Sequence, residues 1–277
     1  MRVIPSQSVE DAVAGLCVTA NRHLPPDVRR AFLHRQAAES PLGRGALRQL
    51  LDNAELAGQL GLPLCQDCGL AVFFVEHGED VRVEGLPVRE AVNRGMVRGY
   101  REGYLRKSTC DPFTRDNPGD NSPAVVHFDM VPGDTLRISM MVQGASAEYS
   151  RAAMLDPALG AEGVREFVIR GVAEACRGVC APMVAGLGVG GSFEWASLAA
   201  ARALLRPLDR ENPDPFLAGL EESLTQAVNR LGVGPLGLGG ATTCLGVSAL
   251  AAPCHPGTLP VALAIQCHSA RRGQVTL

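Results

Sequence analysis

Nine cysteines stand among the 277 residues of this sequence, and their spacing frames the chemistry open to it. Cys65 and Cys68 form a C-x2-C pair and Cys176 with Cys180 a C-x3-C pair, while the other five stand apart. An odd number of cysteines, behind a Met1–Glu10 start without the basic-then-apolar order of an export signal, argues against a disulfide framework and for a cytoplasmic protein. Metal or cluster chemistry becomes the question, since thiolates are soft ligands for zinc and for iron-sulfur clusters. The two pairs together suggest a four-cysteine zinc site. Against that, Cys176 falls inside an amphipathic helical pattern, whereas Cys180 sits at the Gly178-Val-Cys-Ala-Pro182 break, where a loop can present a thiolate. Cys17, Cys68, Cys110, Cys176, Cys244 and Cys254 can each be read as small buried hydrophobes, the commoner fate of a free cysteine.

A second pattern competes. Gly186-Leu-Gly-Val-Gly-Gly191 satisfies G-x-G-x-x-G between an apolar strand and a helix, the dinucleotide fingerprint. No strand ending in Asp or Glu about 20 residues on accompanies it, because Ala203–Pro215 passes from helix into a Pro and Asp loop. A nicotinamide-dependent oxidoreductase is therefore a distant alternative. So is a non-catalytic metal-binding scaffold.

The elements that must position these residues follow from periodicity. A helical N-terminal portion covers about residues 1–60, with helices over Asp11–Asn21, Pro26–Glu39 and Leu42–Leu60. The turn Gln66-Asp-Cys-Gly69 feeds an apolar strand, Leu70–Val75, and Val88–Leu105 returns to helix. Cys110–Pro123 is a loop too long to be an idle connection. Ala124–Met130 and Thr135–Val142 read as paired strands around the Pro132-Gly133-Asp134 turn. Helix over Glu162–Cys176, strand over Pro182–Gly188 and helix over Ser192–Leu205, capped by Ser192, make a strand-turn-helix unit. A helix over Phe216–Leu231, a glycine-rich stretch Gly232–Gly246 and a strand over Leu259–Gln266 complete the chain. The predicted fold is mixed α/β, one domain over 1–277, with sheets flanked by helices and the site in loops at one face.

Composition narrows the partners. A net charge of -3 with scattered Lys and Arg leaves no electrostatic footprint for nucleic acid or an anionic membrane. No apolar run approaches the ~20 residues of a spanning helix.

Three segments, in order, carry a family resemblance. Pro63-Leu-Cys-Gln-Asp-Cys-Gly69 with the strand after it resembles the CQDTG turn of class I fumarases. Val179-Cys-Ala-Pro182 and Gly186-Leu-Gly-Val-Gly-Gly-Ser192 resemble that family's CPP and GxGIGG segment. Gly237-Leu-Gly-Gly-Ala-Thr-Thr243, Ala252-Pro-Cys-His255, Leu259-Pro-Val261 and Cys267-His-Ser-Ala-Arg271 resemble its closing block. The sequence thus resembles the α subunit of the class I fumarate hydratase and L(+)-tartrate dehydratase family.

That resemblance implies a 4Fe-4S cluster held by Cys65, Cys180 and Cys267, with the fourth iron left open as a Lewis acid. It implies that Gln66 and Asp67 contact substrate, Asp67 in acid-base chemistry, that Arg106 clamps a substrate carboxylate with Lys107 as its rival, and that Gly144 approaches substrate. His255 matches the family's active-site histidine, and His268 follows a ligand. Cys68 departs from the family's Thr, and Ala145, Ser146, Ala147 and Tyr149 depart from its GGGSEN segment. The implied reaction is hydration of fumarate to malate or dehydration of tartrate, the first preferred. Since the chain stops at Leu277, where single-chain members continue, a separate β subunit is implied.

Overall fold

The computed structural model describes residues 1–277 as a mixed α/β fold. In chain order it runs β1 (Arg2–Pro5), α1 (Ser6–Arg22), α2 (Pro26–Arg35), α3 (Pro41–Leu60), β2 (Leu70–Gly78), β3 (Val81–Glu84), α4 (Val88–Glu102), β4 (Val125–Val131), β5 (Leu136–Gln143), β6 (Arg151–Leu155), α5 (Gly160–Ala175), β7 (Met183–Gly190), α6 (Phe193–Ala203), α7 (Pro215–Asn229), β8 (Cys244–Ala252), β9 (Leu259–Gln266) and β10 (Arg272–Thr276). Contacts gather these into two compact units, where the sequence reading draws one domain. The first is Met1–Pro25, Asn53–Gly144 and Arg271–Leu277; the second is Pro26–Asp52 and Ala145–Ala270. No helix is long and apolar enough to cross a membrane.

The first unit is built on a sheet ordered β10-β5-β2-β4. Val9, Val13 and Cys17 of α1 and Met96 and Tyr100 of α4 share one core with Phe73 and Val75 of β2 and Ile138 and Met140 of β5. The hairpin predicted from Ala124–Met130 and Thr135–Val142 does not form. β4 pairs in parallel with β2, and β5 pairs antiparallel with β2, so β2 lies between them. The physical reason is in β2 itself: Ala71–Val75 is buried without alternation, and a strand buried on both faces is placed centrally, with a neighbour on each side.

The second unit is built on a sheet ordered β6-β9-β7-β8, in which β7 is parallel to β8 and antiparallel to β9. α6 lies directly on β7. A Cβ on Gly186 would stand 2.1 Å from Ala200 O, and one on Gly188 2.0 Å from Ala196 O. These glycines serve strand-helix contact from within the strand rather than a phosphate-binding turn after it, and the sheet is mixed rather than doubly wound. The dinucleotide reading of Gly186–Gly191 therefore fails.

The outer edge of β8 is closed by one polar face of α7. Glu221, Thr225 and Asn229 follow at four-residue spacing, one above the other on a helix. Glu221 Oε1 accepts the Ala249 N–H at 2.6 Å, Thr225 Oγ1 the Val247 N–H at 3.0 Å, and Asn229 Oδ1 the Thr243 and Cys244 N–H groups at 2.8 Å. Arg206 pairs with Glu221, and Asn212 Nδ2 donates to the same carboxylate at 2.6 Å. An edge so covered offers no template for another strand.

Candidate active-site residues

In the first unit the Pro63–Gly69 turn enters β2 with Cys65 and Asp67 half-buried, Gln66 exposed and Cys68 buried. Its main chain is held on several sides. Leu64 N donates to Asn21 O at 2.8 Å, Asn53 Nδ2 to Leu64 O at 3.0 Å, Tyr100 Oη to Cys68 O at 2.7 Å, and Asn121 Nδ2 to Gly69 O at 3.3 Å. Asp67 Oδ1 accepts the Gly69 N–H at 3.0 Å, an Asx-turn bond, and the Ser108 hydroxyl at 3.4 Å.

The helix predicted to Leu105 ends at Glu102, so Arg106 stands beyond it in the irregular run that follows. Its side chain is exposed and that of Lys107 half-buried. Ser108, two residues after Arg106, donates its hydroxyl to Asp67 Oδ1 at 3.4 Å, which lays this run along the turn. The predicted loop is anchored by Asn121, 1% exposed, whose Oδ1 accepts the Ser108 and Thr109 N–H groups. Gly144 follows β5, whose Gln143 pairs with Leu70. A Cβ at Gly144 would fall 2.7 Å from Asp67 Oδ2, so glycine is what lets the chain pass the carboxylate. Cys65, Gln66, Asp67, Ser108 and Gly144 therefore gather at one end of this sheet.

In the second unit, α5 ends at the break predicted between Cys176 and Pro182, and Cys180 is exposed on it. Cys267 directly follows β9 and is half-buried, its sulfur 3.1 Å from Ser269 Oγ. His268 N donates to Cys180 O at 3.1 Å, tying the two cysteine loops together. Tyr149 packs on the same loop, for a Cβ on Gly178 would fall 2.2 Å from its Oη. A cleft of about 230 Å³ runs between this loop and Val233–Gly237. His255 is elsewhere. It stands exposed between β8 and β9, its Nδ1 accepting the Gly257 N–H at 3.1 Å, at the opposite end of β9 from Cys267.

The remaining cysteines separate by burial. Burial pushes the Cys17, Cys68 and Cys176 thiols up, and that of Cys244 up to about 12, which disfavours the thiolate that binds metal. The accessible thiols are those of Cys65, Cys110, Cys180, Cys254 and Cys267, apart from the raised Cys176. No three His, Cys, Asp or Glu side chains converge on a position for a single ion.

Sequence reasoning did not single out Arg271, Asn21 or Asn121 as site residues, and named Tyr149 only as a departure from the resembled segment. Arg271 is 4% exposed and donates from Nη1 to Asp67 O at 2.6 Å and to Asn21 Oδ1 at 3.0 Å. Its place in the closing Cys267–Arg271 block was the one available signal.

A family model described as fumarate hydratase (Fumerase) matches residues 10–276. The chain is 34% identical over 272 residues to a protein of Methanocaldococcus jannaschii provisionally named L(+)-tartrate dehydratase subunit alpha, covering 95% of each chain. It is 31% identical over 269 residues to the L(+)-tartrate dehydratase subunit alpha of Escherichia coli (strain UTI89 / UPEC), covering 95% of this chain and 88% of the other. The protein of the same name from Escherichia coli (strain K12) is 30% identical over 269 residues. With a match from near its first residue to near its last, the chain belongs to the fumarate hydratase (Fumerase) family of hydro-lyases.

Proposed function

We propose that this chain is the cytoplasmic α subunit of a 4Fe-4S-dependent hydro-lyase acting on a small dicarboxylic acid and completed by a β subunit. The observation that carries the reading is likeness along nearly the whole chain to proteins named as alpha subunits. The family description names fumarate, whereas the names of the relatives favour L(+)-tartrate as substrate.

Cys65, Cys180 and Cys267 would hold the cluster, one thiolate to each of three irons. They fit it as accessible thiols on irregular chain, in contrast to the buried Cys17, Cys68 and Cys244. When bound, the cluster supplies a Lewis acid at its open iron. The chain's own groups act beside it. Asp67, fixed through its Oδ1 and its main chain, takes or returns the carbon-bound proton at Oδ2. Gln66 donates from its amide to substrate, and Arg106 holds one substrate carboxylate by its fork of N–H groups. Gly144 leaves the space in which substrate meets Asp67. His255, at the other end of β9, enters as a group serving the site of a second copy of the chain.

A diacid has two anionic ends to hold while proton and hydroxyl depart, and one arginine beside one iron leaves its orientation underdetermined. The β subunit would supply the missing clamps. The test is an anaerobic assay of the α chain with its β partner on fumarate, malate, mesaconate and both tartrates. Turnover of at least one diacid, dependent on β, is expected. No turnover on any of them, or full turnover by α alone, would overturn the proposal.

A further inference from the structure

One buried cation has no part in the chemistry above. Arg271 stands at the start of β10, and its main-chain oxygen accepts the Val142 N–H at 3.0 Å, two residues before Gly144. Its backbone is thereby locked to β5 while its side chain crosses to the Pro63–Gly69 turn. There Nη1 bridges two neutral oxygens, Asp67 O at 2.6 Å and Asn21 Oδ1 at 3.0 Å. Asn21, fully buried, is itself fixed, its Nδ2 donating to Cys17 O at 2.9 Å and its main-chain oxygen accepting the Leu64 N–H at 2.8 Å. The guanidinium also reaches Gly144, where a Cβ would fall 3.4 Å from Nη2 as well as 2.7 Å from Asp67 Oδ2. Guanidinium and carboxylate thus border the same small gap.

We propose that Arg271 is a positioning residue for the hydro-lyase reaction: by holding the Asp67 carbonyl against Asn21 it fixes where the Asp67 carboxylate stands beside Gly144. The inference rests on the reading of Asp67 as the acid-base group. The geometry suits arginine and not lysine. A planar fork can meet two acceptors from one nitrogen and turn the other toward Gly144, whereas an ammonium is a single point on a flexible stem. Without it, Asp67 O and Asn21 Oδ1 lose a buried donor, and the Asp67 peptide loses the bond that sets its orientation. A displacement of ~1 Å at a reacting group costs on the order of 10²-fold in rate.

The test compares wild type, Arg271→Lys, Arg271→Gln, Asn21→Ala and Asp67→Asn, each as the complete complex with β. Arg271→Gln is expected to lower kcat about 10²-fold with KM nearly unchanged and with iron and sulfide content at the wild-type level. Arg271→Lys and Asn21→Ala should fall in the same direction by less, and Arg271→Gln should shift the pH profile of kcat. Unchanged kcat in Arg271→Gln beside an inactive Asp67→Asn would overturn the inference and leave the proposed function standing. A rise in KM alone would also overturn it, making Arg271 a substrate ligand, as would parallel loss of iron in both Arg271 variants, making it structural. If the wild-type complex turned over none of the diacids, the underlying function would fail instead.

Discussion

His255 and Cys267 stand at opposite ends of β9, a strand of eight residues that spans about 25 Å at ~3.3 Å per residue. No small diacid spans that distance, so one chain cannot bring this histidine to a site at this cysteine. If both serve the reaction, they do so in different copies, as across a symmetric interface. Mixing Asp67→Asn chains with His255→Asn chains in the presence of β should then restore part of the activity that each lacks alone. Two inactive variants that stay inactive when mixed would contradict the placement of His255 in the site of a second copy.

Glu221 gathers Arg206, Asn212 and the Ala249 N–H on one carboxylate that is nearly buried. Removing it strands a cation and an edge N–H together, and breaking a buried pair of this kind costs about 3 to 5 kcal/mol. Glu221→Ala should lower the denaturation midpoint strongly, and the freed edge of β8 should promote aggregation. A midpoint equal to wild type would show that α7 does not depend on this carboxylate.

Two glycine substitutions should move in opposite directions. Gly186→Ala drives a methyl into Ala200 O, 2.1 Å away, and overpacking of this kind costs about 1 to 3 kcal/mol or more. Gly219 lies on the solvent face of α7 with nothing within 4 Å of an added Cβ, so Gly219→Ala should stabilise by ~0.5 to 1 kcal/mol. Thermal melts of both variants check the pair.

The α1–α4 contact carries a pH-dependent bond. Arg98 Nη2 donates to Asp11 Oδ1 at 2.6 Å, and this bond, helped by Gln7, holds the Asp11 carboxyl below its ordinary 3.8. A carboxyl depressed in the folded state stabilises above its unfolded pKa and loses that contribution as pH falls through the folded one. Asp11→Asn should therefore melt slightly below wild type at neutral pH, the difference being small for an exposed pair. It should vanish as pH drops beneath 3.8. A gap that persists in acid would point to a cause other than this ion pair.

Much of this was legible in the sequence because it is local. The helices announce themselves by period, and the Cys65 and Cys180 segments by Gly and Pro breaks around short motifs; β9 falls where its apolar run predicts, Leu259–Gln266. What escaped is long-range. Nothing in Ala124–Val142 tells that β2 will come between β4 and β5. The start of β8 hides in the glycine-rich run before Gly246, and β10, Arg-Gly-Gln-Val-Thr, has too little apolar alternation to read as a strand. Arg271 meets Asn21 from 250 residues away, so its role appears only once the fold has placed both beside Asp67.

The most direct test of the account is the iron and sulfide content of the chain, purified anaerobically with each of the nine cysteines replaced in turn by Ser. The account predicts about four irons and four sulfides per chain in wild type. It predicts loss of the cluster in Cys65→Ser, Cys180→Ser and Cys267→Ser, and retention in the other six, Cys68→Ser and Cys176→Ser among them. Retention of the full cluster in Cys267→Ser, with loss in Cys68→Ser or Cys176→Ser, would contradict it.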